Sequence, residues 1–393
     1  MIDKKREAVI VATARTPIGK MRGALATVPA INLGAMVANE LISRAGIDAS
    51  EVEEVIFGNL FNYDWGNVSR VALLEAGFPV EIPAITLDRQ CSSALNAIAY
   101  AGMYINTGNA DIVMAGGIES YSQQTLMLKR PQQAYPQVVM PDWIKPSNEK
   151  VGNPSMIRTA ENIAAKYSIT REECDEFAYR SHKLAAEAWN RGAFKDQVFP
   201  VEIPQRKGDP FKFEVDECVR FDVSREALAK LRPVERGEGN VVTAGNASPQ
   251  NDGATGTIVM SREMAERKGL IPLITIRAFN ATGVDPHYMG MGPVPSIRKL
   301  LQKTGLSMDD IDLFEVNEAF AAQSLGVQKI LKIPTEKLNV DGGAIAIGHP
   351  NGASGGILVA RIIYSLIERN LKRGIVSFCC GGGQGFSVLL ERD

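Results

Sequence analysis

Short runs rich in valine and isoleucine alternate along this chain with longer segments that have helical spacing. The apolar runs at residues 8–12, 84–87 and 374–378 have the length and composition of buried strands. The longer segments place their apolar residues at the spacing of helices that cover a sheet. This alternation predicts βαβ units built on a mostly parallel sheet.

Three stretches from the first part of the chain recur near its end in the same order. The first is a glycine with an acidic turn and an apolar strand, the second an all-apolar helix, and the third a strand that ends in glycines. Such a repeat at a nearly constant offset indicates an internal duplication. The pairs have offsets of 259, 262 and about 263 residues and begin at Gly46 and Gly305, Ala94 and Gly356, and Asp111 and Gly374.

The two recurring helices, residues 94–105 and 356–367, are apolar on every side. A helix with this pattern is expected in the interior between two sheets rather than on a surface. The sequence therefore predicts an α/β fold of two similar βαβ-rich halves in five layers, α-β-α-β-α, with an inserted loop domain.

The insertion is expected where the repeat breaks, between residues 122 and 270. This stretch contains a proline-rich segment at 131–154 and amphipathic helices near 160–167 and 172–191. Such an insertion is a natural place for recognition of a large ligand. We therefore predict an N-terminal half, a loop or lid domain and a C-terminal half, at 1–121, 122–270 and 271–393.

Charge and cysteine content exclude several classes of protein. With 43 basic and 45 acidic side chains the formal net charge is −2, so no nucleic-acid partner is expected. No stretch of 18 apolar residues occurs, and the first apolar run is too short for a secretory signal, so we expect a cytoplasmic protein without membrane insertion. Five cysteines without paired Cys-x-x-Cys spacing, and three scattered histidines, predict reduced thiols and no metal site.

Cys91 is the first candidate for chemistry, because it follows the strand at 84–87 and precedes an apolar helix. Its sulfur should lie near free backbone N–H groups and the positive end of a helix dipole. Both favour the thiolate over a free thiol of pKa about 8.5. This is the position of an activated nucleophile. The alternative is a small buried apolar residue, the usual role of a lone cysteine.

His349 lies in a glycine-rich segment, residues 339–356, and is followed by Pro350. The glycines let backbone and ligand approach the imidazole closely, and the proline fixes the chain just after it. We interpret His349 as a general base. His182, on an amphipathic helix, and His287, in a loop, are expected to be structural.

Two further segments carry polar groups where a strand ends. Cys379 follows an apolar strand and begins a glycine-rich turn, a pattern that suggests a phosphate-binding loop. The segment, however, lacks the Lys-Ser/Thr of such a loop and leads into another strand. A tight hairpin with two buried cysteines is the alternative interpretation. Asn317 lies where a strand turns into a helix, and for an isolated asparagine a helix N-cap would be the simpler interpretation.

Taken together, these segments resemble the thiolase family over nearly the whole chain. The resemblance implies two α/β halves with a loop domain between them, assembled as a homodimer or homotetramer. The motifs that carry it, in order, lie at residues 14–20, 88–98, 243–254, 289–295, 317–320, 348–350 and 379–383.

The resemblance also implies a mechanism. His349 would take the proton of Cys91, the thiolate would attack a 3-ketoacyl-CoA, and Cys379 would protonate the acetyl-CoA enolate that leaves. A second CoA thiol would then release the acyl group from Cys91, and the reverse reaction would be a Claisen condensation. His349 with a water on Asn317 would stabilise one oxyanion, and the N–H groups of Cys91 and Gly381 the other.

For coenzyme A, the resemblance implies contacts from the loop domain, with Ser248 on the pantetheine arm and Arg220 near the nucleotide. Met156 and Met289 would line the acyl or pantetheine tunnel, although methionines often only fill a core. No permanently bound cofactor is implied, since CoA and acyl-CoA are substrates.

Several residues depart from the family pattern. Asp88 and Ala94 stand where relatives have Asn and Gly, which is expected to alter helix packing and the pKa of the nucleophile. Ile157 replaces a glycine, Ser155 a histidine of acetoacetyl-CoA-specific relatives, and Val234 a phenylalanine. The covering loop at 121–154 is hard to match. These departures leave the acyl chain length open.

Three other functions compete with a thiolase. A decarboxylating ketoacyl synthase shares the fold but would not need Cys379 as a second catalytic cysteine. An oxidoreductase is disfavoured because no Gly-x-Gly-x-x-Gly follows the first strand. A catalytically altered acyl-CoA-binding subunit is permitted by Ile157 and Ser155, but all four catalytic positions are filled.

Overall fold

The computed structural model describes residues 3–127 and 145–393 of the chain. Its helices are α1 Ala30–Ala45, α2 Val68–Glu75, α3 Ser93–Asn106, α4 Met156–Tyr167, α5 Arg171–Asn190, α6 Arg225–Ala229, α7 Arg262–Arg267, α8 Pro293–Thr304, α9 Ala321–Leu331, α10 Ala344–Ile347 and α11 Ser354–Glu368. Its strands are β1 Ala8–Arg15, β2 Gly19–Lys20, β3 Glu54–Gly58, β4 Ala84–Leu87, β5 Ile112–Ser120, β6 Val201–Ile203, β7 Phe211–Phe213, β8 Asn251–Ser261, β9 Ile274–Gly283, β10 Leu313–Val316, β11 Arg373–Cys380 and β12 Gln384–Glu391.

The strands of the two halves follow the same pairing order. In the first half the order is β4-β3-β5-β8-β1, with two parallel and then two antiparallel pairings. In the second half it is β10-β11-β12-β9, again parallel and then antiparallel, and Leu338 makes a single parallel bridge to β10 in the place of β4. The duplication inferred from the sequence is therefore visible in the topology.

The halves join at one edge and enclose two helices. β1 pairs with β9 at only two positions, Val9 with Thr275 and Ile10 with Ile274. The helices α3 and α11 contact each other and also strands of both halves, while α1 and α8 pack on the outer faces. This arrangement confirms the five layers and the two buried apolar helices.

Glycines allow the two central helices to approach at their first turns. A methyl group on Gly355 would overlap the backbone nitrogen of Leu95, and one on Gly58 would lie 2.6 Å from the nitrogen of Ala94. A methyl group on Gly117 would overlap the carbonyl oxygen of Gly352. Because these neighbours are backbone atoms, a larger side chain would push the helices apart.

The inserted region is shorter than the sequence suggested. Within residues 122–270, the strand β8 pairs with both β1 and β5 and is completely buried, so it belongs to the large sheet. The helices α4 and α5 lie close to the predicted positions, and Thr170 and Glu173 form a capping box at the start of α5. Much of the proline-rich segment at 131–154, and of the covering loop at 121–154, lies outside the described residues.

Among the described residues no helix is both long enough and apolar enough to span a bilayer.

The glycine at position 355 provides a test of the close helix contact. We expect Gly355→Ala to lower the melting temperature by several degrees, because overpacking of this kind typically costs about 1–3 kcal/mol. Gly66→Ala is the matched control, since a methyl group there would meet no atom within 4 Å and the backbone φ is not positive. Calorimetry at one scan rate measures both variants, and equal melting temperatures would contradict the inferred contact.

Candidate active site

Cys91 lies in a tight turn between β4 and α3. Gln90, just before it, has a φ of 50°, in the left-handed region that non-glycine residues seldom occupy. The Asp88 carboxylate accepts a hydrogen bond from the Gln90 N–H at 2.7 Å, and Ser93 Oγ accepts one from the Arg89 N–H at 2.8 Å. These bonds fix the turn and leave Cys91 partly exposed, whereas the other four cysteines are buried.

The surroundings of Cys91 keep its thiol protonated. Burial, with a smaller contribution from the neighbouring Cys380, raises the pKa of the Cys91 thiol to about 12, against the lowering effect of hydrogen bonds from the backbone N–H groups of Gly381 and Cys91. The prediction that the helix start would favour the thiolate in the free protein is therefore wrong, because desolvation outweighs the N–H groups. The two N–H groups of the predicted oxyanion hole do lie at this sulfur.

His349 is buried and held in one orientation. Its Nδ1 lies 2.6 Å from Ser354 Oγ, and that hydroxyl donates to the Pro350 carbonyl at 2.9 Å. The hydroxyl must therefore accept from Nδ1–H, which leaves a lone pair on Nε2. The His349 N–H donates to Asn251 Oδ1 at 2.8 Å, which fixes the backbone. Burial lowers the pKa of the imidazole to about 4, so the ring is a neutral base near pH 7.

Asn317 lies beside the free nitrogen of that ring. Its Nδ2 is 3.4 Å from His349 Nε2, and its Oδ1 is buried without a hydrogen-bond partner among the described residues. The N-cap interpretation is wrong, because α9 begins four residues later at Ala321 and Phe320 occupies its N-cap. Asn317 thus has a polar side chain available for a bound molecule.

Cys379 and Cys380 lie at the end of β11, in a hairpin with β12. The turn needs glycine at Gly382 and Gly383, whose φ angles are 79° and 83°. Burial raises the pKa of Cys379 well above its usual value, and negative charge on Cys91 raises it further. Cys380 Sγ lies 3.1 Å from Ser92 Oγ, next to Cys91 in sequence. The hairpin interpretation is correct, and this hairpin meets the Cys91 turn.

Ala94 is accommodated by small neighbours. A methyl group on Gly117 would lie 2.8 Å from the Ala94 side chain, and Gly58 leaves room on the other side. The side chain is completely buried. The extra methyl group expected to disturb the packing of α3 is therefore accommodated by Gly117 on β5.

The four residues expected to bind coenzyme A have different environments. Ser248 is partly buried and donates from Oγ to the Ala319 carbonyl at 3.1 Å, two residues after Asn317. Met289 is buried in the apolar cluster that contains Cys379, and Met156 packs against that cluster. Arg220 is exposed, and its backbone N–H donates to His182 at 3.3 Å. Ser248 is therefore bonded to the segment after Asn317, Met156 and Met289 belong to or pack against the same apolar cluster as Cys379, and Arg220 lies on the surface.

His182 and His287 have structural surroundings, as expected. Burial, with a smaller contribution from the charge of Arg220, lowers the pKa of His182 to about 4. His287 Nδ1 lies 3.0 Å from Asp285 Oδ1 at the start of a 3₁₀ helix.

The departures in the loop domain also have structural roles. Ser155 is the N-cap of α4, accepting from the Arg158 N–H at 3.0 Å and donating to Glu235 at 2.9 Å. Ile157 is partly buried and packs against the apolar cluster of Cys379, and Val234 is half-exposed.

Sequence reasoning missed three polar residues that hold the site. Asn251 fixes the His349 backbone, Ser354 fixes its ring, and Glu119 accepts a hydrogen bond from the Gly352 N–H at 2.9 Å. Only Glu119 had a signal in the sequence, because it is a carboxyl group near the end of the mostly apolar strand β5.

Comparisons with known proteins agree with this architecture. Residues 8–263 match the family described as "Thiolase, N-terminal domain", and residues 270–392 match "Thiolase, C-terminal domain". An acetyl-CoA acetyltransferase of Chromobacterium violaceum is 44% identical over 391 residues, covering 98% of this chain and 100% of that protein.

Two solved structures have the same fold. The crystal structure of the Bacillus anthracis acetyl-CoA acetyltransferase superposes with a TM-score of 0.93 at 42% identity and covers 98% of both chains. The crystal structure of human mitochondrial 3-ketoacyl-CoA thiolase superposes with a TM-score of 0.94 at 37% identity and covers both chains completely.

The burial of the cysteines predicts their order of reaction with iodoacetamide. Cys91 should be alkylated first, because it alone among the five is partly exposed. Its rate should keep rising up to pH 10 without a plateau, since only the small thiolate fraction reacts and the pKa lies near 12. Peptide mass spectrometry over a pH series measures both. Earlier labelling of Cys174 or Cys218, or a plateau below pH 9, would contradict the geometry.

Proposed function

This chain belongs to the thiolase family and is an acyl-CoA acyltransferase of the thiolase type, and we propose that its reaction runs through an acyl thioester on Cys91. The reaction is the reversible cleavage of a 3-ketoacyl-CoA by CoA into acetyl-CoA and a shortened acyl-CoA. The observation that supports the assignment of residues is the approach of the Cys379 hairpin to Cys91, whose sulfur accepts a hydrogen bond from the Gly381 N–H. The buried imidazole of His349 lies beside Asn317 and next to Phe378, the residue before Cys379.

In the first step His349 accepts the proton of Cys91. The resting protein keeps this proton on sulfur because burial raises the thiol pKa, while Nε2 of the imidazole carries a free lone pair. Attack on the keto carbon forms a carbon–sulfur bond as the proton moves to Nε2. The nucleophile is therefore activated only as the substrate reacts.

Cys379 supplies the proton for the leaving enolate. Carbon–carbon cleavage gives the acyl thioester on Cys91 and the enolate of acetyl-CoA, which needs a proton on carbon. A completely buried thiol with a strongly raised pKa remains protonated until such a base forms beside it. In the condensation direction the Cys379 thiolate removes the same proton from acetyl-CoA.

Two sets of donors stabilise the negative oxygens. The backbone N–H groups of Cys91 and Gly381 already bond to the sulfur and lie where the oxygen of the tetrahedral intermediate would form. The protonated His349 and a water held by Asn317 would stabilise the oxygen of the enolate thioester. The unpartnered Oδ1 of Asn317 supports a bound molecule at this position.

The second half of the reaction uses the same base. Before it begins, the proton on His349 passes to the Cys379 thiolate, so that Cys379 is again a thiol and the imidazole again a neutral base. His349 then accepts the proton of a CoA thiol, whose sulfur attacks the acyl group on Cys91 and releases it as acyl-CoA. The Cys91 thiolate then regains its proton from His349, which returns both groups to their starting state.

Coenzyme A would approach along the loop domain. We propose that Ser248 contacts the pantetheine arm and that Met156 and Met289 line its path, supported by their places beside Asn317 and in the Cys379 cluster. Arg220 is proposed for the nucleotide end on the ground that its side chain is exposed. No permanently bound cofactor takes part in these steps.

We further propose a cytoplasmic homodimer or homotetramer. In the described part of the chain, β4 pairs only with β3 and presents Ile85 with 43% of its surface exposed. An open, partly apolar strand edge of this kind is a site where a second copy can pair.

A turnover assay distinguishes an active thiolase from a catalytically silent acyl-CoA-binding subunit. The protein is incubated with free CoA and 3-ketoacyl-CoAs of increasing chain length, and the loss of ketoacyl absorbance is followed. Turnover of at least one chain length supports the thiolase, and its absence for all of them would support the binding subunit.

The two cysteines are predicted to separate the half-reactions. Cys91→Ala should abolish both turnover and acylation by acetyl-CoA, because no nucleophile remains. Cys379→Ala should still become acylated at Cys91 but lose cleavage of the ketoacyl chain, since only that step needs a carbon acid or base. Intact-mass measurement of the acyl-enzyme checks the first half. Normal cleavage by Cys379→Ala would contradict its role.

Asn317 is predicted to act in catalysis rather than in binding. We expect Asn317→Ala to lower kcat on the order of 10²- to 10³-fold, the usual cost of one oxyanion donor. The KM for CoA should change little, because Asn317 is not among the residues proposed to contact CoA. Steady-state kinetics measures both constants, and a pure KM effect would exclude the proposed oxyanion role.

A further inference from the structure

Glu119 is a buried carboxyl group that the reaction described above does not use. It lies at the C-terminal end of β5 and is completely buried. Its Oε2 accepts from the Gly352 N–H at 2.9 Å, and its Oε1 accepts from the Phe61 N–H at 3.1 Å. Asn59 Nδ2 donates to Oε1 at 3.3 Å. Burying a carboxyl group is costly, so a group with this many donors has a defined task.

The three segments that Glu119 joins all border the active site. One is the loop after β3, another is the end of β5, and the third is the turn between His349 and α11. In that turn the Ala353 and Ser354 N–H groups donate to the Pro350 carbonyl at 2.9 and 2.8 Å. The Gly352 N–H points away from this turn to Glu119, near the positive end of α11. Glu119 therefore fixes the turn that carries both His349 and its partner Ser354.

The approach of Gly352 to Glu119 is close enough to exclude a side chain. A methyl group on Gly352 would lie 2.7 Å from the Ile118 carbonyl oxygen, 2.9 Å from Asn59 Cα and 3.0 Å from Glu119 Oε2. Beyond this contact, Asn351 Nδ2 donates to Tyr121 OH at 2.9 Å, so the turn is held to the end of β5 at a second point.

The charge of Glu119 also reaches the nucleophile. Negative charge on Glu119 raises the pKa of Cys91 and of Tyr121. The charge of Asp88, two residues before Gln90 in the Cys91 turn, in turn raises the pKa of Glu119. Glu119 therefore contacts the turn of the base through Gly352 and acts on the nucleophile through its charge.

We propose that Glu119 is a positioning residue of this reaction, which holds the His349 turn through Gly352 in register with the Cys91 turn. This inference rests on the proposed roles of Cys91 and His349. Without this carboxyl group, the Gly352 N–H would lose its acceptor. The imidazole of His349 would then be free to move away from the position in which it accepts the proton of Cys91. A displacement of about 1 Å at a catalytic base is enough to slow the chemical step about 100-fold.

The test compares two carboxylates at opposite ends of β5. Glu119→Gln keeps the shape of the side chain but replaces one acceptor oxygen by an amide group, so either Gly352 or Phe61 loses its acceptor. Glu53 accepts from the N–H groups of Asp111 and Ile112 at the start of the same strand, at 2.6 and 3.0 Å. Since β5 spans roughly 23 Å between Ile112 and Glu119, Glu53→Gln is the matched control.

We expect Glu119→Gln and Glu119→Asp to lower kcat about 10- to 100-fold, the equivalent of leaving one buried N–H group without its acceptor. The KM for CoA should stay within about twofold, since no proposed CoA contact touches Glu119. Glu53→Gln should keep the wild-type kcat. Wild-type kcat in both Glu119 variants would overturn the proposal, while activity in the wild type and none in Cys91→Ala would leave the thiolase assignment intact.

A second measurement needs no variant of Glu119 to fold. Burial raises the pKa of Glu119 to about 8, against the lowering effect of its N–H donors, so the group gains charge as the pH rises through that value. The other ionisable groups around it are Tyr121, whose pKa is raised by burial, Tyr63 and Asp88. The new charge disfavours the Cys91 thiolate.

In wild-type protein, the logarithm of the Cys91 alkylation rate should therefore rise less steeply near pH 8, where Glu119 ionises, than at lower and at higher pH. Peptide mass spectrometry of the Cys91 peptide after timed exposure to iodoacetamide gives this profile. In Glu119→Gln the change of slope should disappear, and in Glu53→Gln it should persist. A wild-type profile with a single slope between pH 6 and 10 would overturn the proposed contact between Glu119 and the nucleophile turn.

Discussion

The contact between the first turns of α3 and α11 is the constraint on which the rest of the structure depends. The helix α3 follows Cys91, the proposed nucleophile, and α11 follows His349, the proposed base, so the separation of the helices sets the distance between the two residues. Glycines at positions 117 and 355 bring backbone against backbone there. Everything else at the site is arranged around this contact: the hairpin of Cys379 closes it from one side and the end of β5 from another.

Burial raises the pKa of the two thiols at this contact and lowers the pKa of the imidazole. It keeps both thiols protonated and the imidazole neutral, so the resting site has few charges to desolvate. Charge then appears only when the substrate forms bonds, at positions where N–H donors are already fixed. A site of this kind needs no strongly shifted thiolate at rest. Its reactivity depends instead on how accurately the base is held, and that accuracy is provided by Asn251, Ser354 and Glu119.

Much of the fold could be predicted from the sequence, for identifiable reasons, while the roles of the main site residues stay a prediction. Strands and buried helices have strong apolar patterns, and the duplication made the pairing order of one half a guide to the other. The polar supports were missed because Asn251, Ser354 and Glu119 act through contacts with backbone groups far away in sequence. The pKa of Cys91 was misjudged for a related reason. A helix start is visible in a sequence, but the desolvation that outweighs it depends on both halves closing over the sulfur.

The single bridge at Leu338, where the first half has the full strand β4, shows how far the two copies have diverged. In the described residues the N-terminal copy has a full strand at this edge and carries Cys91, the proposed nucleophile. The C-terminal copy has only the bridge there and carries His349 and Cys379, the groups proposed to move protons. Under the proposed mechanism, neither copy alone would therefore hold a complete set of reacting groups.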